Sequence, residues 1–126
     1  MGWLKSLFGA KKTPRNALEE VDILARKIIP PSYRQIAAAN GCAPSNVTSD
    51  EQIMVIYQEV GTRFREISKK RGEHLSAGSM NMIVFKFLNV YEKMGRDVYD
   101  SHLVHELELY ERDGLREDYK HELKLF

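Results

Sequence analysis

Apolar residues recur at helical spacing along most of the chain, and the strongest such run is 80–94. Met80, Ile83, Val84, Phe87, Leu88, Tyr91 and Met94 fall at i, i+3, i+4, i+7, i+8, i+11 and i+14, which sets seven large side chains on one helical stripe. Met82, Phe85 and Val90 lie off that stripe, leaving only Asn81, Lys86, Asn89, Glu92 and Lys93 for water. The spacing predicts a central helix over 79–94 that other segments must cover on most sides.

A second long helix is predicted over 49–71. Thr48 followed three residues later by Glu51 is a capping-box signature, with Ser49 and Gln52 offering a competing register. Ile53, Tyr57, Val60, Phe64 and Ile67 form its apolar stripe with Ile56 beside them, and Gly72 supplies an end. Gly61 inside this helix costs about 1 kcal/mol of helix propensity relative to alanine and is expected to mark a close helix crossing.

Upstream, Thr13-Pro14 reads as an N-cap and first-turn proline opening a helix over 14–29. Its core stripe is expected to be Leu18, Val21, Leu24, Ala25 and Ile28, and Pro30-Pro31 is expected to end it. Ser32 then caps a shorter helix over 33–40, closed by Gly41, and 41–49 is a loop. Downstream, Asp97 is expected to cap a helix over 97–113 that turns Leu103, Leu107 and Tyr110 inward, with Gly114 after it. Leu115, Tyr119, Leu123 and Phe126 predict a last short helix or a packed tail. No stretch alternates as a strand would. The fold class is therefore all-α: a single-domain bundle of about five helices over residues 13–126, preceded by a short amphipathic segment, 1–12.

That segment carries the clearest candidate for contact with something else. Trp3, Leu4, Leu7 and Phe8 share one helical face, with Lys5, Lys11 and Lys12 around it and Arg15 just beyond. Such a face suits either a protein partner or an anionic membrane surface, with the aromatic rings in the interface and the lysines near headgroups. The same side chains also suit docking on the protein's own core. Met1-Gly2 with Ser6 matches the short M-G-x-x-x-[ST] myristoylation pattern. The apolar pairs are broken by Lys5 and Gly9, too soon for a secretory signal, so the segment is expected to be kept.

Totals narrow the classes without naming one. A chain of 126 residues, 43% hydrophobic and 29% charged, is long and apolar enough to fold as one globular domain without metal or disulfide staples. The formal charge of +1 supplies no global attraction to nucleic acid or acidic lipid, so any electrostatic partner must be met by a local patch. Cys42 is the only cysteine, which points to a reducing compartment. With no apolar run near the roughly 20 residues of a membrane span, a cytoplasmic location is expected, peripheral at the inner membrane face if the N-terminal segment binds lipid.

Candidate chemistry is sparse. His102, His105 and Glu106 fall on one helical face and make a donor set of the kind zinc or non-haem iron takes, but at this spacing a solvated face is the simpler reading. A di-iron bundle site needs Glu-x-x-His motifs, and the chain has none. Cys42 would need a base brought by the fold from His74 or His121 to act as a nucleophile. The glycines are scattered singly, with no phosphate-binding loop and no G-x-S-x-G elbow. No cofactor is expected, and nothing makes a positive case for an enzyme. Residues 33–60 resemble the first helix and turn of a helix-turn-helix in their small residues around Gly41. Pro44 in the turn, and Asp50 and Glu51 where phosphate would lie, weigh against DNA. Charge is segregated: Arg63, Arg65, Lys69, Lys70 and Arg71 make one basic stretch, and Glu106 to Glu122 is acidic. These stretches either pair in the fold or form two poles. The best-supported expectation is a non-enzymatic interaction module that uses its N-terminal segment.

Overall fold

Residues 16–125 are described by a computed structural model, in which four α-helices, α1 (Ala17–Asn40), α2 (Asp50–Arg71), α3 (Ala77–Met94) and α4 (Arg96–Asp113), precede a 3₁₀ turn at Glu117–Lys120. Among these residues there is no strand. Helices α2, α3 and α4 pack on one another, α1 lies on α2, and the 3₁₀ turn lies on α3. The expected central helix is α3: Met80, Ile83, Val84, Phe87 and Leu88 are all 2% exposed or less, while Met94 at the end of the stripe emerges into solvent.

Phe64 of α2 sits where these elements meet. Its ring stacks on Tyr110 of α4 at 5.6 Å and meets Phe87 of α3 at 6.0 Å and Tyr119 of the 3₁₀ turn at 6.3 Å, both edge-on. Edge-to-face and offset arrangements are the favourable ones for aromatic quadrupoles, so the cluster gains orientation as well as burial.

Several expected element boundaries differ from those observed. Pro30-Pro31 does not end a helix: α1 runs through both, merging the two predicted helices into one. Each interior proline removes a backbone donor and costs about 3 kcal/mol. Ile29, Pro30, Tyr33 and Ala37, all buried, continue the inward face across the break and offset that cost. The Ser32 hydroxyl, expected as a cap, donates back to the Ile28 carbonyl at 2.8 Å. Asn16 caps α1, its side chain accepting from the Glu19 N–H at 2.8 Å; the expected start at Thr13-Pro14 lies outside the described residues.

At α2 the competing register prevails, with the Ser49 hydroxyl accepting from the Gln52 N–H at 3.1 Å. Thr48 is buried and used elsewhere. Asp97 lies within the first turn of α4, whose boundary is Gly95 at φ 91°, and the last predicted helix shortens to the 3₁₀ turn. Gly61 marks no helix crossing, because a Cβ there would meet only the end of the Arg65 side chain, at 3.3 Å.

The close approach occurs at Gly78 instead. The Leu123 N–H donates to the Gly78 carbonyl at 3.0 Å, the Asn81 amide donates to the Leu123 carbonyl at 3.0 Å, and the Ser76 hydroxyl donates to Glu122 at 3.1 Å. A Cβ on Gly78 would overlap Glu122, including its Cβ, which cannot swing away as a flexible tip would. The first turn of α3 has no acid of its own, so Glu122 brings a carboxylate to the positive end of the helix.

Two outcomes follow for stability. Phe64→Ala should lower the unfolding free energy by about 3–5 kcal/mol in urea titrations, whereas Leu18→Ala at the outer end of α1 should change it by less than about 0.5 kcal/mol. Gly78→Ala should release the C-terminal tail, seen as faster amide exchange at Leu123 with exchange in α2 unchanged.

Candidate interaction surface

The stripe expected to face the core from the first half of α1 faces solvent. Leu18 is 80% exposed, Val21 60%, Leu24 56% and Ile28 42%, and only Ala25 of that stripe packs against the core. The fully buried residues of α1 begin at Ile29, so the helix divides near its prolines into an inner half buried in the bundle and an outer half that projects an apolar stripe. The 3.6-residue period places Glu20 and Asp22 on the two flanks of the stripe. Arg26 fixes the outer half from its polar side, donating to Asp22 at 3.0 Å and to Glu51 of α2 at 2.9 Å. A row of exposed aliphatic side chains on one helix face is the surface a partner or a lipid interface covers. Trp3, Leu4, Lys5, Leu7, Phe8, Lys11 and Lys12 lie outside the described residues, immediately before this helix.

The segment 33–60 is arranged around internal contacts. Arg34 turns into the 41–49 loop, donating to the carbonyls of Ser45, at 2.6 Å, and Thr48, and to the Asp50 carboxylate at 2.7 Å. From α3, Glu92 accepts from the Ser45 N–H at 2.8 Å and the Thr48 hydroxyl at 2.6 Å, and Asn89 accepts from the Ala43 N–H at 3.3 Å. The loop is thereby pinned to α3. With Asp50 and Glu51 both in ion pairs and α2 packed against three helices, the turn that would open a base-reading helix is already occupied.

Burial pushes the Glu92 carboxyl up, but hydrogen bonds from Thr48 and Ser45 and the nearby Arg34 outweigh it, and the group lies below its ordinary value.

The residues singled out as possible ligands or nucleophiles are distributed differently from expectation. Glu106 is buried at 3% exposure and is held by the Arg116 guanidinium at 2.9 Å and the Tyr119 hydroxyl at 3.0 Å. It thus locks the 3₁₀ turn onto α4, and burial, with the Glu106 carboxylate beside it, raises the Tyr119 hydroxyl well above the ordinary tyrosine range. His102 packs its ring on Phe87 at 4.9 Å, and His105 is exposed. Among the described residues no three His, Cys, Asp or Glu side chains stand close enough together to hold a metal ion.

Cys42 opens into a cleft of about 510 Å³ across the outer face of α3, where it shares the wall with Lys86, His102 and Arg116. His74 lines a different cleft, of about 540 Å³, beside Arg65 and Lys69, and His121 lines neither. The basic and acidic stretches pair in part: Lys70 reaches Glu111 at 3.1 Å and Arg71 donates to the Glu111 carbonyl at 2.8 Å, tying the end of α2 to the end of α4. No helix among the described residues is long and apolar enough to cross a membrane. Set against protein-family models, curated proteins and solved structures, the chain finds no match.

The carboxylate at Glu92 yields a pH-dependent outcome. Because its folded value is depressed, the stability it contributes is present above the ordinary 4.5 and is lost as pH falls through the folded value. Glu92→Gln should therefore cost about 1 kcal/mol at neutral pH, and the gap to the native protein should close in acid, as followed by thermal unfolding across a pH series.

Proposed function

We propose that this chain is a non-enzymatic interaction module that engages a membrane surface or a partner complex through its N-terminal segment, with Trp3, Leu4, Leu7 and Phe8 as the apolar contact and Lys5, Lys11 and Lys12 as the charged one. The observation that carries this reading is that α1, which follows the segment in the chain, leaves Leu18, Val21, Leu24 and Ile28 exposed on one stripe. That stripe adds apolar surface next to the segment in the sequence, which suits a protein partner that covers both. Basic residues around an aromatic-containing apolar face suit anionic headgroups, and one or two turns supply modest affinity that a second contact would reinforce.

Flotation with neutral and anionic vesicles tests it, using the full chain and a chain starting at Thr13, with helicity of both checked by circular dichroism. The full chain should float with anionic vesicles or, failing that, capture a protein partner that the shorter chain does not. Loss of helicity on removing residues 1–12 would sink the reading, because those side chains would then belong to the core.

A further inference from the structure

The outer half of α1 leaves Leu18, Val21, Leu24 and Ile28 exposed on one stripe, and the chain preceding it ends at Asn16, the cap of the same helix. We propose that Trp3, Leu4, Leu7 and Phe8 fold back onto this stripe, so that the contact segment is held against α1 until something else takes it. This rests on the reading that the segment is a contact element, and it adds what covers that element when no target is bound.

Three considerations select this occupant. The first is reach. Residues 9–15 form a seven-residue connection, within the usual two to eight for neighbouring helices, and Gly9 and Pro14 suit a reversal. Two helical turns over residues 3–8 span roughly 9 Å, and the stripe from Leu18 to Ile28 runs for roughly 15 Å, so the segment fits within it. The second is charge. Lys5, Lys11, Lys12 and Arg15 are basic, and the acids at the edges of the stripe are Glu20 and Asp22, the latter also bonded to Arg26. Acidic residues at these edges favour a basic segment over an anionic membrane as the cover of this face.

The third is area and concentration. Four aliphatic side chains offer only part of the roughly 800 Å² that each partner contributes to a stable interface, which argues against a second copy of the chain. A short tether instead holds the segment at an effective concentration in the millimolar range, so modest burial suffices. Docking of this kind lowers the apparent affinity for any outside target by the fraction of molecules in which the segment is released.

Trp3 is the only tryptophan, so intrinsic fluorescence reports on this segment alone. In the full chain without lipid, its emission should be blue-shifted and its quenching by acrylamide several-fold weaker than in the denatured chain. Val21→Gln/Leu24→Gln should return both to the denatured values while helicity and the melting transition stay those of the native protein, since neither side chain is in the core. Full exposure of Trp3 in the native chain, or a blue shift that the paired substitution leaves unchanged, would overturn the proposal.

A blue shift lost on hundredfold dilution would also overturn it, in favour of a second copy. With anionic phospholipid vesicles, the substituted chain should bind several-fold more tightly than the native one, and equal binding would count against the fold-back. If neither chain binds vesicles while Trp3 is still protected and still released by the substitution, the fold-back stands and lipid is removed from the proposed function.

Discussion

The ring of Phe64 is the contact on which the other elements depend. It is fully buried and touches an aromatic ring from α3, α4 and the 3₁₀ turn. The turn is thus joined to the core by Tyr119, and the same residue hydrogen-bonds the buried Glu106. Apolar packing and a satisfied buried carboxylate therefore converge on one side chain, which is how a 3₁₀ turn of four residues holds a fixed place against three helices.

Around that centre the bundle is closed by polar straps at both ends of α3. Glu92 and Asn89, near its C-terminal end, fasten the 41–49 loop, while Ser76, Gly78 and Asn81, near its N-terminal end, fasten the C-terminal tail. Loops and tails without secondary structure still need partners for their backbone groups. The central helix supplies these partners from the few positions its apolar stripe leaves free. Asn81, Asn89 and Glu92, expected to face water from the sequence pattern, are the residues that hold these segments.

Much of the architecture was legible in the spacing of apolar residues. The stripes of α2 and α3 have the helical period and are buried largely as that period implies, because a helix in the middle of a bundle has neighbours on most sides. What the pattern missed depends on contacts distant in sequence. The use of Thr48 to bind Glu92, 44 residues away, changes which residue caps α2. The stripe Leu18, Val21, Leu24 and Ile28 is as regular as any in the core, and periodicity alone does not say whether anything lies over it. The path of α1 through Pro30-Pro31 was signalled by Ile29, Tyr33 and Ala37 at steps of four, a cue weaker than the local rule that proline ends helices. Of the candidate site, the N-terminal face was readable from residue type, whereas the exposure of α1 and the commitment of Glu106 to Arg116 and Tyr119 were not.

The division of α1 at its prolines also separates two properties that most helices couple. Full burial begins at Ile29, and before it Ala25 and the Arg26–Glu51 pair tie the outer half to the bundle, so the exposed stripe sets a direction more than it sets stability. A helix turns through about 100° per residue, so one residue gained or lost between Val21 and Ala25 would swing Leu18 and Val21 by that angle about the helix axis and leave the core contacts from Ala25 onward in register. The bearing of the exposed face relative to the bundle is then a matter of residue count rather than of residue chemistry.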